Sequence, residues 1–411
     1  MEQLYKDPCT LLRMHQGPLG AYVDAFAQQL IGEGYAKASC RYALQLMADL
    51  GRWLRRRRIT AQQLTSEHLG RYLQYRRRCG RHRSGDAAIV RRLFSLLRDN
   101  GIVAQGPPIE RTPAERLEEQ FRLYLEQERR LAPATVFHYL VFVRRFLTDC
   151  LANGELQLDA LGAAAVVGFV QREAARLHHP KRAKLMTAAL RSFLQYAHYA
   201  GLISIDLRSS VPTVAGWSMA SLPRALSSAE VQRLLAHCDR HTPVGRRNWA
   251  ILLLLARLGL RAGEVVALAL EDLDWAVGEL RVRAYAGDWD RLPIPQDVGA
   301  ALVDYLRHSR APCSSRRVFV RMRAPHRGFA SSAAISCIVR RALARAGLDP
   351  PHKGAHLLRH SVATQMLRQG ASLAEIGELL RHRSPQTTMI YAKVDLDLLR
   401  PLALPWPGGA Q

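Results

Sequence analysis

Five side chains in the last third of the sequence have the chemistry needed to handle a phosphodiester. In chain order they are Arg261, His356, Arg359, His382 and Tyr391. Guanidinium groups match phosphate oxygens bidentately and keep their charge. A histidine can move protons near neutral pH, and a tyrosine hydroxyl can attack phosphorus and hold it covalently. The set therefore indicates phosphoryl transfer, and no set of metal ligands accompanies it in the sequence.

The local frames of these residues predict how helices position them. His356 and Arg359 are three positions apart, so they share one face of a helix, and His360 is predicted to have a structural role beside them. Arg261 is predicted to open a helix, where free backbone amides favour an anion, and Glu264 is placed to orient its guanidinium. Taken alone, Arg261 is better explained as a surface arginine at a helix start.

The composition predicts a polyanionic partner. The 411-residue chain carries 59 Lys and Arg against 35 Asp and Glu, a net charge of +24. Such an excess is typical of proteins that bind nucleic acid, because bound phosphates release condensed counterions. The alternative is a basic surface that serves solubility alone.

The cysteines and the hydropathy predict a cytoplasmic protein with no membrane partner. Seven cysteines are scattered, and no two have a Cys-x-x-Cys spacing, which argues against a disulfide framework or a zinc site. No apolar run reaches the roughly 20 residues needed to cross a bilayer. The first residues also lack the basic-then-apolar order of a signal peptide.

Segments rich in proline and glycine divide the chain and predict three domains. Residues 1–110 and 111–216 are both predicted to be helical, and each closes on a helix followed by a glycine, Gly101 and Gly201. Residues 217–411 form the region that carries the five candidate residues. The predicted fold class is therefore mainly α with a small antiparallel β-sheet (α+β), with two helical units ahead of the last domain.

The last domain is predicted to contain one short pair of strands among its helices. The strands are residues 279–283 and 291–295, joined by residues 284–290, and residues 318–320 are predicted as a third strand. A helix is predicted over residues 332–346.

Arginine clusters mark the first helical unit. One spans residues 55–58, and the other contains residues 76–78 together with Arg81 and Arg83. A single cluster is as well explained by a solvated helix face, but two in a very basic chain favour contact with phosphates.

The order, frames and spacing of the five residues resemble the tyrosine recombinase (phage integrase) family. His382 follows Arg359 by 23 positions and precedes Tyr391 by nine, which matches the family pattern without a gap. The resemblance is specific over residues 222–400. It is looser over residues 114–216, which look like the family's helical core-binding domain.

The resemblance also extends in general kind to residues 1–110, which look like an additional helical (SAM-like) DNA-binding unit. It implies double-stranded DNA as the partner. It further implies a homo-oligomer, from dimer to tetramer on DNA, or assembly with related recombinases.

The resemblance implies a role for each of the five residues. Tyr391 would attack the scissile phosphate and form a 3′-phosphotyrosyl link, with His356 as the base that takes its proton. Arg261 and Arg359 would stabilise charge on the non-bridging oxygens, and His382 would donate a hydrogen bond to the same phosphate. No cofactor is implied, since the phosphotyrosine conserves the energy of the broken bond and neither ATP nor a metal ion is needed.

Two departures from the family pattern keep other readings open. The family carries a lysine in the turn that corresponds to residues 284–290, where it protonates the leaving 5′-oxygen. No lysine occurs here between Lys184 and Lys353, and Arg381 stands where the family commonly has glycine. The missing lysine leaves open a non-catalytic DNA-binding subunit of a recombinase assembly. A type IB topoisomerase, which uses a similar active site, is a second alternative.

The tail at residues 401–409 is rich in proline and apolar side chains. Such a tail is either a disordered end or a segment that docks on a neighbouring subunit. We expect docking, because Leu402, Leu404 and Trp406 supply apolar surface to bury.

Overall fold

The structure of the protein is a computed structural model. It describes residues 4–5, 7–103, 111–152, 155–156, 158, 161–177, 179–214, 224–283 and 289–394. Contacts divide the chain into two units, one formed by Met1–Ala104 with Ser221–Gln411 and the other by Gln105–Ala220. Helices dominate both units and one small antiparallel sheet lies in the last part of the chain, which confirms the predicted fold class. The three domain limits remain a prediction.

The N-terminal part of the first unit is helical around its own apolar core. Its helices are α1 Pro8–Met14, α2 Val23–Gly32, α3 Lys37–Arg56, α4 Ser66–Arg78 and α5 Asp86–Asp99. Leu50, Trp53 and Leu54 of α3 are spaced along one face of the helix and are buried in that core. Gly101 has a φ of +69° just after α5, a conformation that side-chain-bearing residues rarely adopt, so it ends the helix as expected.

Arg76 in the second arginine cluster is a structural residue. Its side chain is 9% exposed. Its Nε donates to Asp86 Oδ2 at 2.9 Å and its Nη1 donates to Asp49 Oδ2 at 3.0 Å. A buried guanidinium between two carboxylates cannot reach DNA, and its removal would strand their charges. The prediction of phosphate contact is therefore wrong for Arg76, whereas Arg77 and Arg78 are exposed.

The second unit has its own helices and core. Its elements are α6 Pro113–Leu123, a π-helical turn Tyr124–Glu128, α7 Pro133–Asp149, β1 Leu151–Ala152 paired with β2 Glu155–Leu156, α8 Ala163–Arg176 and α9 Pro180–Tyr199. Aromatic side chains interlock at its centre, where Phe121 meets Phe193 edge to face with centroids 5.3 Å apart. Gly201 again has a φ of +69° after the last helix, as predicted.

The last part of the chain carries the candidate residues on short helices around a buried one. Its helices are α10 Ser228–Ala236, α11 Pro243–Arg257, α12 Ala262–Ala267, α13 Gln296–His308, α14 Ala333–Arg345, α15 Ala355–Arg368, α16 Leu373–Leu379 and α17 Pro385–Thr388. A 3₁₀ turn, Met389–Val394, follows α17. Helix α14 confirms the helix predicted over residues 332–346.

The sheet differs from the prediction in its third strand. Strands β3 Leu273–Asp274, β4 Glu279–Arg283 and β5 Trp289–Pro293 pair antiparallel in that order. Residues 318–320 do not join this sheet. Isolated antiparallel bridges flank or include them, Arg317 with Ala269 and Val320 with Gly328, and Val318 N donates to Leu268 O at 2.9 Å. The apolar run that suggested a strand serves packing.

Helix α11 is the longest apolar helix of this region, and it is buried in the core. Across the described residues, no helix combines the length and the apolar character that a membrane crossing requires.

Candidate active site

Chain segments more than 100 residues apart converge on one site in the first unit. Arg261 caps the start of α12, Arg359 lies on α15, and residues 380–382 follow α16. Arg261 Nη2 donates to Arg381 O at 3.1 Å, and Arg359 Nη1 donates to Gly259 O at 2.6 Å. The structure therefore brings both candidate arginines to the segment that leads to His382.

Arg359 is a buried cation held by backbone carbonyls. The residue is 3% exposed, and it donates to Gly259 O and to Leu380 O. Burial, with help from the charges of Arg261 and Arg381, lowers the pKa of Arg359 to about 10. The guanidinium is still protonated at neutral pH, so this site carries a fixed and poorly solvated positive charge.

Gly259 makes this arrangement sterically feasible. Its φ is +57°, and a Cβ at this position would lie 2.7 Å from Leu380 Cδ2. A side chain would therefore push apart the two carbonyl-bearing segments that hold Arg359.

Arg261 is oriented by Glu264, as its spacing predicted. Its Nη1 donates to Glu264 Oε1 at 2.8 Å, and its backbone N donates to Glu264 Oε2 at 2.8 Å. The Arg261 side chain is 35% exposed, so it can reach a ligand, whereas Glu264 is only 8% exposed.

Tyr391 contacts His360 rather than His356. The tyrosine is 1% exposed in a small cluster with Ala363, Ile376 and Leu380. Its hydroxyl lies 2.8 Å from His360 Nδ1. Burial raises the pKa of Tyr391 to about 12, and the charge of Arg359 partly opposes that shift. The neutral phenol is therefore the stable form, and its hydroxyl is held by a hydrogen bond to the His360 imidazole.

His356 and His382 lie on either side of this pair. The His356 ring centroid is 6.4 Å from that of His360, and its side chain is exposed. The His382 ring is parallel to Tyr391 with centroids 6.5 Å apart, and its Nδ1 is hydrogen-bonded to Thr388 Oγ1 at 2.7 Å. That bond leaves Nε2 of His382 available for a ligand.

All three histidines are biased towards the neutral form. Loss of solvent, reinforced by Arg359 and Arg261, lowers the pKa of His356. Burial and neighbouring positive groups lower the pKa of His360 and of His382 to about 4. Neutral imidazoles at neutral pH can accept protons, which suits a site that must deprotonate a tyrosine.

Acidification is expected to destabilise the fold through these histidines. An unfolded histidine titrates near 6.5. Because the folded pKa of His360 is about 4, the unfolded chain binds more protons between those values, so the free energy of unfolding falls as pH drops from 6.5 to 4. Thermal unfolding midpoints measured from pH 7.5 to 4.5 should decline less steeply in His360→Gln than in the wild type.

A matched control separates this effect from general acid sensitivity. His237 is exposed after α10, and His237→Gln should keep the wild-type pH slope. An unchanged slope in His360→Gln would contradict the assignment of a depressed pKa to that imidazole.

Some predictions concern residues outside the described ranges. Residues 284–288, where the family lysine would lie, and the tail from residue 395 onwards are among them. Among the residues that the structure does describe, no group of three or more His, Cys, Asp or Glu is arranged to hold a metal ion.

Sequence reasoning missed three contributions to the site. His360 was assigned a structural role, yet it contacts the tyrosine hydroxyl. Thr388 was not singled out, although it fixes the His382 ring. Arg381 was noted only as a departure from a glycine, and its position beside a histidine of the set was the one available signal.

Two protein-family models match this chain, one in the last domain and one in the second helical unit. A model described as "Phage integrase family" matches residues 224–397. A model described as "Phage integrase, N-terminal SAM-like domain" matches residues 119–201. The SAM-like match thus falls in the second helical unit, and the same description for residues 1–110 remains a prediction.

Relatives of this chain are named integrases or tyrosine recombinases. The chain is 47% identical to the integrase/recombinase y4rA of Sinorhizobium fredii over 403 residues, which covers 98% of each chain. It is 33% identical to the tyrosine recombinase XerA of Thermococcus kodakarensis over 69% of this chain and 92% of that protein. It is 30% identical to XerD of Listeria monocytogenes over 67% of this chain and 93% of that protein.

Solved structures share the fold. A XerH site-specific recombinase bound to palindromic difH substrate in a post-cleavage complex aligns with a TM-score of 0.54 and 18% identity, over 82% of this chain and 94% of that one. A lambda integrase dimer bound to a COC′ core site aligns with a TM-score of 0.51 and 17% identity, over 67% and 94% respectively.

Proposed function

Because this chain belongs to the phage integrase family of tyrosine recombinases, which cleave and rejoin DNA, we propose that Tyr391 is its nucleophile. Its attack on the scissile phosphate would form a 3′-phosphotyrosyl link. The catalytic set we propose is the one predicted from the sequence, which contains Arg261, His356, Arg359, His382 and Tyr391. His360 is added as the imidazole that holds the Tyr391 hydroxyl before DNA binds.

One observation carries the proposal. The hydroxyl of Tyr391 is hydrogen-bonded to an imidazole whose low pKa keeps it neutral, and the buried charge of Arg359 acts on the same hydroxyl. The fixed cation opposes part of the effect of burial on the pKa of the Tyr391 hydroxyl, and it attracts a phosphate. This combination distinguishes Tyr391 from a tyrosine that is merely packed in a core.

The proposed reaction is an in-line transesterification. A bond forms between the Tyr391 oxygen and phosphorus, and the bond from phosphorus to the 5′-oxygen breaks. The tyrosine proton passes to His356, the base that the family resemblance implies, and the 5′-oxygen must gain a proton to leave as a hydroxyl. Arg261 and Arg359 would stabilise the charge on the non-bridging oxygens, with a hydrogen bond from His382, since preorganised donors act strongly in a poorly solvated site. A second 5′-hydroxyl would reverse the step on another strand.

The burial of Tyr391 implies that the 3₁₀ turn must move during the reaction. A side chain that is 1% exposed offers its hydroxyl to no external phosphate. Displacement of Met389–Val394 would break the bond to His360 and carry the hydroxyl to DNA, while Arg359 stays fixed by its two carbonyls.

A nicked suicide substrate tests the proposal. Labelled duplexes from the DNA that flanks the gene would carry a nick that lets the 5′-hydroxyl fragment diffuse away after cleavage. We expect a covalent protein–DNA band on a denaturing gel, with the adduct mapped to Tyr391 by mass spectrometry. An adduct on another residue would refute the assignment, and the absence of any adduct would favour the alternative of a non-catalytic DNA-binding subunit.

The same protein can be tested for the topoisomerase alternative. A type IB topoisomerase would relax supercoiled plasmids that lack the flanking sequence, whereas a recombinase needs its site.

We further propose that the chain acts on double-stranded DNA as a dimer or tetramer, alone or with related recombinases. The reaction would serve integration, excision or transposition in the cytoplasm.

Salt dependence should report on the arginines at residues 55–58. Arg57 stacks over Trp53 with its Cζ 4.1 Å from the ring centroid, so Arg55, Arg56 and Arg58 are the better candidates for phosphate contact. Replacing these three with glutamine should flatten the plot of log affinity against log salt by about 0.9 per lost contact. The slope is measured by fluorescence anisotropy at salt concentrations from roughly 50 to 300 mM.

Arg368→Gln serves as the control for charge alone, because Arg368 is exposed at the end of α15. A triple variant whose slope per removed charge equals that of Arg368→Gln would argue against direct contact by this cluster.

A further inference from the structure

We propose that Arg381 keeps Arg261 available for the scissile phosphate by sharing the carboxylate of Glu264. This inference rests on the phosphate-binding role proposed for Arg261. It makes Arg381 a positioning residue, since it would act through Glu264 and Arg261 and need not touch DNA itself.

The contacts form a chain of three charged groups. Glu264 Oε1 accepts from Arg261 Nη1 at 2.8 Å, and Glu264 Oε2 accepts from Arg381 Nη2 at 2.8 Å. The side chains of Glu264 and Arg381 are 8% and 7% exposed, so both ions are shielded from solvent. The Arg381 backbone closes the arrangement, because its carbonyl accepts from Arg261 Nη2 at 3.1 Å. Arg381 therefore fixes the Arg261 guanidinium from two directions.

The charge balance gives this arrangement a function. A carboxylate paired with Arg261 alone would cancel its charge and compete with a phosphate for its donors. A second guanidinium on the same carboxylate leaves these three groups with a surplus of one positive charge. Asp290 also faces Arg381, but at 3.8 Å and with a side chain that is 36% exposed, so solvent screens its charge more than that of Glu264. Glu264 can then orient Arg261 without neutralising the site.

The backbone of Arg381 indicates that its side chain is needed there. Its φ is +54°, in the left-handed region that favours glycine. An arginine persists in that conformation because its side chain is held in place: Nη1 donates to Leu379 O at 3.0 Å, and Nε lies 3.8 Å from Asp290 Oδ2 on β5. A glycine at this position would relieve the backbone and remove only the side-chain contacts.

The experiment is a double-mutant cycle on the suicide-substrate cleavage rate. Arg381→Gly is expected to slow cleavage by about 10- to 100-fold, the scale on which a misplaced catalytic group acts. In the Glu264→Gln background the same change should cost less than about threefold, because the carboxylate that Arg381 offsets is gone. Arg381→Lys, which keeps the charge, should lose less than the glycine variant.

Arg130→Gly is the matched control. Arg130 is an exposed arginine of the second unit with a φ of +47°, so the substitution removes one charge and relieves a similar backbone conformation, and rates are compared at saturating protein so that a change in DNA affinity does not register. It should cleave at the wild-type rate. Thermal unfolding of every variant checks folding, and Arg381→Gly should unfold no lower than a few degrees from the wild type.

The outcomes separate this inference from the proposed function. Wild-type cleavage with an unimpaired Arg381→Gly variant would overturn the inference alone. So would an equal loss in both backgrounds, since Arg381 would then act independently of Glu264, and so would an equal loss in the lysine and glycine variants. A wild-type protein that forms no adduct would overturn the proposed function and this inference together.

Discussion

Tyr391→Phe is expected to abolish covalent attachment to DNA while changing DNA affinity by less than about threefold. The substitution removes one oxygen and leaves the ring packed against Ala363, Ile376 and Leu380. Loss of the hydrogen bond to His360 should cost stability by about 1 kcal/mol, which a folded domain tolerates. The phosphate-binding arginines are untouched, so binding persists while the nucleophile is lost. Covalent adducts on a denaturing gel and anisotropy binding curves on one substrate measure the two effects separately.

Tyr305→Phe is the matched control for this prediction. Tyr305 is fully buried in the same part of the chain, and its hydroxyl accepts from Val320 N at 3.2 Å, far in sequence from the candidate residues. This variant should form adducts at the wild-type rate. Adducts in Tyr391→Phe at more than a trace level would mean that another residue is the nucleophile.

Local signals in the sequence predicted the helices well because their causes are local. The capping boxes of Ser227 with Glu230 and of Ser372 with Glu375 both form, each with the serine side chain accepting from the backbone N–H three residues on. The left-handed glycines after α5 and α9 are of the same kind. Such features need only a few neighbouring residues, so one sequence suffices to predict them.

Features that depend on distant partners were not predictable in this way. Arg76 is a core residue because its side chain donates to Asp49, which lies 27 positions earlier in the chain. No local pattern in the sequence separates Arg76 from its exposed neighbours. Residues 318–320 have the composition of a strand, but they do not join the sheet, and their side chains are buried in the protein interior. The tertiary structure decided both cases.

The candidate site shows the same division. The contact of Arg261 with Glu264 followed from a three-residue interval. The partner of Tyr391 did not follow, because His356 and His360 lie one turn apart on α15 and only packing decides which of them reaches the hydroxyl. The left-handed conformation of Arg381 was hidden for the same reason.

Cleavage by the wild-type protein is expected to be limited by protonation of the leaving 5′-oxygen. No lysine occurs between Lys184 and Lys353, and counting back from Arg291 places Tyr285 or Ala286 where the family has its general acid. Arg283 lies close by in the sequence, but a guanidinium holds its proton too tightly to be a good donor. A positioned acid is worth roughly 10²- to 10⁴-fold when a poor leaving group needs a proton. Single-turnover cleavage should therefore be slow on normal DNA.

A substrate with a 5′-bridging phosphorothiolate tests this limit, because its sulfur leaves without needing a proton. The wild-type protein should cleave it faster than normal DNA by a factor that approaches the 10²- to 10⁴-fold value of a missing acid, and Ala286→Lys or Tyr285→Lys should speed cleavage of normal DNA alone. Ala286→Met, which adds a long side chain without an ammonium group, should give no gain. Equal wild-type rates on the two substrates would show that another residue or a partner subunit already supplies the proton, because the rate would then no longer depend on how readily the leaving atom accepts one.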